Sequence, residues 1–267
     1  MANILVVYAH PEPRSLNGSL KQVIVRALES AGHQIKITDL YGMRWKSEID
    51  AEDFGNLSDG ERMHITSASR AAFEGGKQSP DVVAEQEKLL WADAVVFQFP
   101  LWWSAPPAIF KGWVDRVFAN GFGYGIGSYE GPQRARRYGD GTLVGKRALV
   151  SITGGGHSHH YSPRGIKGGT ISEVLWPLMH GLLWYTGMEV LPPVTLLSAE
   201  RVSESQFAEH ASLLRARLAT IMTAPAIPYR YGNSGDYDDN LQLKPNAEAH
   251  STGLAIHLRQ EPDTSAS

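Results

Sequence analysis

The sequence predicts an α/β protein built on a doubly wound, five-stranded parallel sheet. Three observations carry this reading. Short, nearly continuous apolar runs recur along the chain, as strands buried on both faces require. Amphipathic helical stripes alternate with those runs. Loops rich in Gly, Pro, Ser and Asn follow the runs, where such sheets carry their ligand sites.

The expected strands are Ile4–Tyr8, Gln34–Thr38, Ala94–Phe99, Ala148–Thr153 and Val190–Leu197. Between the first two, Leu20, Val23, Ile24, Ala27, Leu28 and Ala31 fall on one helical face. Ser79-Pro80-Asp81 reads as an N-cap followed by Pro at the first helical position, opening a helix to about Trp91. Pro106 and Pro107 start a helix with Ile109, Phe110, Trp113, Val114, Val117 and Phe118 on one side. A further helix is expected from about Thr170 to Tyr185. Ser203 and Gln206 form a capping-box pattern before a last helix reaching about Met222. Strand–helix alternation with right-handed crossovers gives the flavodoxin-like strand order 2-1-3-4-5. Beyond Pro225 the composition turns to Asn, Asp, Gly, Pro and Ser without a strong period. We therefore divide the chain into a domain over 1–224 and an extension over 225–267 that wraps a partner subunit or covers the site; its last ten residues read equally as a disordered tail.

The chain has 267 residues, a formal net charge of −3 and no cysteine. Disulfides, zinc–thiolate sites, iron–sulfur clusters and cysteine nucleophiles are excluded. The dispersed charge gives no reason to expect nucleic acid or an anionic membrane as partner. The start, MANILVVYAHPEP, reads as a buried first strand rather than a signal peptide, and no apolar stretch approaches a bilayer span. A cytoplasmic protein is the expectation.

Three loops carry the chemistry. The first runs from Ala9 through His10 and Ser15 to Leu16 and Asn17 and enters a helix. Free N–H groups at a helix start suit phosphate, and His10, Ser15 and Asn17 add side-chain donors. Ser15 or Asn17 as a plain helix cap is the competing reading. The second loop, Pro100-Leu101-Trp102-Trp103-Ser104, places two adjacent indoles between a strand and a Pro-started helix. Both cannot enter the core, and flat aromatic surface suits a flat ligand. The third, Thr153-Gly154-Gly155-Gly156, lets backbone approach a ligand and aim N–H groups at developing negative charge. His157, His159 and His160 follow; with no nearby carboxylate their spacing favours exposed histidines over a metal site.

Together these segments resemble the NAD(P)H:quinone oxidoreductase (DT-diaphorase) family. The resemblance rests on YAHPEPRSLN at Tyr8–Asn17, SPDVVAEQEKL at Ser79–Leu89, FQFPLWW at Phe97–Trp103 and PPAIFKGWVDRVF at Pro106–Phe118. It continues in SITGGG at Ser151–Gly156, YSPRGIKG at Tyr161–Gly168, LWP at Leu175–Pro177 and STGLAIHL at Ser251–Leu258. It implies FAD, with FMN as the alternative, NADH or NADPH as co-substrate, a quinone as acceptor, and a homodimer with the site at its interface. Carried over, His10, Ser15, Leu16 and Asn17 would hold the pyrophosphate. Pro100, Leu101, Trp102, Trp103 and Ser104 would line the flavin ring. Thr153, Gly154, Gly155, Gly156 and Tyr161 would meet its polar edge. Trp103, Phe122, Gly123 and Tyr124 would contact substrate.

The chain also departs from the family pattern. The family's catalytic His falls on Lys167, which with Tyr161 forms the expected catalytic pair; a second lid tyrosine falls on Ile126. The family's adenosine contacts do not align near Ala199–Gln206. A competing expectation is a flavin-binding ancillary subunit of a potassium efflux system. The insert at Tyr129–Val144 and the long tail speak against that role.

Overall fold

A computed structural model describes residues 1–55, 57, 60, 62–127, 135–248 and 251–259. The sheet runs β1 (Asn3–Tyr8), β2 (Gln34–Asp39), β3 (Ala94–Pro100), β4 (Arg147–Gly154), β5 (Glu189–Val190) and β6 (Val194–Leu197). All pairs are parallel, in the order β2-β1-β3-β4-β5, and β6 pairs with β4 beyond β5. The first four strands match the expected runs to within a residue at each end. The fifth is corrected: the run at 190–197 is two short strands. Pro192 and Pro193 interrupt it, and a residue without an N–H cannot continue a ladder.

The helices are α1 (Leu16–Ser30), α2 (Ile65–Glu74), α3 (Pro80–Trp91), α4 (Ala108–Val117), α5 (Ile171–Val174), α6 (Trp176–Leu178) and α7 (Glu204–Ala219). Alternate residues of β1, β3 and β4 feed two cores. Ile4 and Val6 of β1 join Leu20, Ile24 and Leu28 of α1 and Leu214 and Leu218 of α7. Leu5 and Val7 face the other way, with Phe97, Phe110 and Trp113. Two covered faces explain why β1, β3 and β4 read as continuous apolar runs. Each such Leu or Phe contributes about 1.5–3 kcal/mol by leaving water.

Several helix expectations change in detail. The helix expected over 170–185 is broken into α5, α6 and a π-helical turn at Met179–Trp184. Pro177, early in α6, lacks the N–H that would continue one regular helix. The Ser203–Gln206 capping box is present, but α7 ends at Ala219, short of Met222. Helix α3 starts at Pro80, yet Ser79 makes no capping bond. Its hydroxyl instead donates to Asp53 and accepts from Arg116 at 3.2 Å. Arg116, with its side chain 2% exposed, also donates to Asp53 at 2.8 Å and Asp81 at 2.7 Å, clamping α4 to the start of α3. Helix α2 was not foreseen.

The extension packs on its own chain. Tyr229 is buried, the Ile227 N–H donates to the Val190 carbonyl at 2.8 Å, and the Trp184 indole donates to the Arg230 carbonyl at 3.1 Å. Arg230 donates from Nε to the Ile256 carbonyl at 2.8 Å and pairs with Asp236 and Glu248. Of the last ten residues, 260–267 lie outside the described residues, as do 129–134 of the expected insert.

Candidate active site

The three loops meet at the carboxyl edge of β1, β3 and β4. Ser15 caps α1, its Oγ accepting from the Gly18 N–H at 3.1 Å. The cap reading of Ser15 therefore holds, and it leaves the N–H groups of Leu16 and Asn17 without an acceptor among the described residues. Gly18 was not singled out from sequence. A Cβ there would stand 1.9 Å from the Pro13 carbonyl oxygen, so only glycine lets the loop close over the helix start. His10 is half-buried, accepts from the Glu12 N–H at 3.1 Å, and lies 6.0 Å from the Trp102 ring.

Asn17 is not free to act through its side chain. It is 4% exposed, accepts from Gln98 Nε2 at 2.8 Å and donates to Thr153 Oγ1 at 2.9 Å. Its contribution to an anion is the backbone N–H. Gln98 was visible in sequence as the polar residue in an apolar strand, but its partners are distant in sequence and pattern alone does not reveal them. The Tyr8 hydroxyl, also missed, is buried beside Ser15 with no partner in hydrogen-bond geometry. Burial pushes its pKa up.

The second loop is a tight reversal. Trp102 and Ala105 exchange backbone bonds of 2.9 and 3.0 Å, and Trp103 and Ser104 between them have φ of 52° and 60°. This is the left-handed pair of a type I′ turn, unusual without Asn or Gly. It throws the Trp103 side chain fully into solvent, while Trp102 is 42% exposed and Leu101 is buried. Pro100 ends β3 in register with Thr153, and the Leu101 N–H donates to the Thr153 carbonyl at 2.7 Å.

The third loop differs from a nest. None of Gly154, Gly155 and Gly156 has a left-handed φ. Space is what they supply: a Cβ on Gly156 would press on the Tyr161 ring at 3.1 Å, and Gly155 is open. The N–H groups of Gly155 and Gly156 have no acceptor among the described residues. Burial raises the pKa of Tyr161, so its hydroxyl stays protonated. Lys167 is exposed. His157 and His159 stack, His160 meets both edge-on, and His157 bonds Ser198 at 2.8 Å. Partial desolvation, then His159, His157 and Lys167, hold His160 below the usual imidazole range. No group among the described residues is arranged to hold a metal.

Phe122 and Gly123 face inward. Phe122 is 2% exposed and packs on Phe73 and Phe118; Tyr124 is half-buried. Elsewhere, an aromatic cavity of about 390 Å³ is lined by Tyr138, Trp176, His180, Tyr185, Tyr237 and His257. His180 is sandwiched between Trp176 (4.5 Å) and Tyr138 (5.0 Å), and burial, with His257 adding to it, lowers its pKa to about 4.

By this architecture, and by a match to the flavodoxin-like fold family over residues 2–219, the chain belongs to the flavodoxin-like proteins. It is 47% identical over 266 residues to the ribosyldihydronicotinamide dehydrogenase-like protein traD of Penicillium crustosum, covering 98% of this chain and 97% of that one. It is 36% identical over 239 residues to rat NAD(P)H dehydrogenase [quinone] 1, covering 89% and 83%. A crystal structure from Klebsiella pneumoniae, provisionally assigned as a quinone reductase, superposes with a TM-score of 0.94 at 50% identity over 97% of this chain and all of that one. Within its fold class, then, the chain is an oxidoreductase of the NAD(P)H:quinone oxidoreductase family. An ancillary protein of a glutathione-regulated potassium-efflux system from Enterobacter sp. is more distant, 27% identical over 193 residues, 72% of this chain and 82% of that one.

Proposed function

We propose that this chain is an NAD(P)H dehydrogenase (quinone) that binds a flavin across the three loops. The observation that carries the reading is the set of unpaired N–H groups at Leu16 and Asn17 and at Gly155 and Gly156, on either side of the exposed Trp102–Trp103 turn. That set suits a ligand with phosphate at one end and a flat ring with a polar edge at the other. We assign the flavin as FAD, on the family's implication and the length of the chain.

When bound, the flavin supplies two-electron hydride acceptance from NADH or NADPH and donation to a quinone. The chain's residues orient and stabilise. Leu16 and Asn17 N–H groups, with the dipole of α1, hold the phosphate, and His10 and Ser15 add side-chain donors. Pro100, Leu101, Trp102, Trp103 and Ser104 form the platform for the ring. Thr153 and the Gly154–Gly156 backbone face its polar edge. Tyr161 offers a hydroxyl donor there, and Lys167 adds positive charge nearby. Trp103 and Tyr124 border the quinone, and Phe122 and Gly123 shape that border from within. A homodimer in the cytoplasm completes the reading, with a second copy seated over the exposed Trp103.

The test is purification, a visible absorbance spectrum and identification of the flavin released on denaturation. Release of FAD and turnover of a quinone with NADH or NADPH are expected. A colourless protein that takes up neither FAD nor FMN would overturn the proposal.

A further inference from the structure

Tyr8, Gln98 and Ser151 lie in one register row across β1, β3 and β4, Tyr8 beside Gln98 and Gln98 beside Ser151. Row neighbours project to the same face of a sheet. All three are at most 1% exposed, and each carries an atom without a partner among the described residues: Tyr8 Oη, Gln98 Oε1 and Ser151 Oγ. Unsatisfied buried polar groups are uncommon, and three in a row point to a designed layer.

The other end of the Gln98 amide leads toward the ligand site. Its Nε2 donates to Asn17 Oδ1, and Asn17 Nδ2 donates to Thr153 Oγ1. An amide nitrogen can only donate, so the Thr153 oxygen accepts, and its hydroxyl hydrogen is left for an acceptor outside the network. The Ser151 hydroxyl, the neighbour of Gln98 in this row, can give its hydrogen to Gln98 Oε1, directly or through a buried water. That holds the amide oxygen toward the row and its nitrogen toward Asn17.

We propose that Gln98 is a positioning residue: it sets the direction of the Gln98–Asn17–Thr153 chain so that Thr153 presents a donor, not a lone pair, to the polar edge of the flavin. The inference rests on the flavin reading above. It predicts that the network tunes the bound flavin's potential, because a donor at the polar edge favours the more electron-rich state.

Gln98→Met tests the direction. A thioether sulfur is only a weak acceptor. Asn17 would turn its nitrogen toward it and its oxygen toward Thr153, whose hydroxyl would then point back into the network. The expected result is a tenfold loss of preference for reduced over oxidised flavin, read as a fall of about 30 mV in the two-electron midpoint potential. Thr153→Val should lower the potential by a similar amount and Thr153→Ser should restore it. Gln98→Met on the Thr153→Val background should add nothing. Should Gln98→Met fail to fold, Ser151→Ala replaces it, with a smaller fall that again vanishes in the Thr153→Val background. An unchanged potential in Thr153→Val, an unchanged potential in the Gln98 or Ser151 variant, or additive shifts in the double variant would each overturn the proposal. A wild-type protein that takes up no flavin overturns the earlier reading instead, so the two failures are distinguishable.

Discussion

The Lys167 ammonium lies 6.0 Å from the centre of the Tyr161 ring. The loop that brings them together is short: the Lys167 N–H donates to the His160 carbonyl at 3.2 Å. One residue of the pair offers a hydroxyl and the other a full charge, so their roles separate experimentally.

Lys167 is exposed, and water and salt screen its charge. Lys167→Met should lower kcat/KM by about two- to fivefold at low ionic strength, with the deficit shrinking as salt rises. Steady-state assays across a salt series check this; full activity at low salt would leave Lys167 a surface residue.

Burial keeps the Tyr161 hydroxyl protonated well past neutrality. Tyr161→Phe should slow flavin reduction by at least about tenfold, as loss of one donor to a developing charge does. Flavin affinity should change less than about twofold, because the ring still packs against Gly156. Stopped-flow kinetics of the reductive half-reaction separate the two effects.

The turn at Trp103 and Ser104 stores strain. A left-handed residue other than glycine costs about 1–2 kcal/mol. Ser104→Gly should therefore raise Tm by about 2–4 °C per kcal/mol relieved. Trp103→Gly should relieve similar strain yet weaken flavin binding, because the platform is lost. Calorimetry paired with flavin titration tests whether the strain serves the site.

Much of the fold was legible because both faces of the sheet are covered. Continuous apolar runs marked β1, β3 and β4, and helical stripes marked α1 and α4. The fifth strand misled: its apolar run hides a break at Pro192–Pro193, which hydropathy alone does not register. Helix α2 was missed because its buried face is built of small residues, Ala68, Ser69 and Ala72, beside a polar stretch that masks the pattern. In the site, loop composition marked three segments, and the parallel sheet brings all three to one edge, with Ser15 capping α1 and Tyr161 against Gly156. The side chain of Asn17 is committed to Gln98 and Thr153 across long sequence separations, which no local pattern in the sequence reveals. Phe122 looked like a substrate contact, and its ring turns out to be core, a distinction only tertiary packing makes.

His180 supplies a pH dependence of stability. Its folded pKa of about 4 lies below the unfolded value of about 6.5, so the unfolded chain binds more protons in that window. The stabilisation is complete above about pH 6.5 and is lost as pH falls toward 4. Discounted for partial solvent access, it amounts to about 2 kcal/mol. Urea denaturation at pH 7, 6, 5 and 4 should show this decline, and His180→Gln should flatten it. Parallel curves for the two proteins would assign the acid sensitivity elsewhere.

The reversal that lifts Trp103 out of the fold also makes it a built-in optical probe. Of the seven tryptophans it alone is fully exposed, and Trp45, Trp113 and Trp184 are buried. Its emission is therefore the red edge of the protein's fluorescence, and the fraction most open to quenching by a dissolved collider. Anything that settles on this turn, whether a planar ligand or a second chain, will extinguish or blue-shift that edge first. The molecule thus reports the occupancy of its own site without a label.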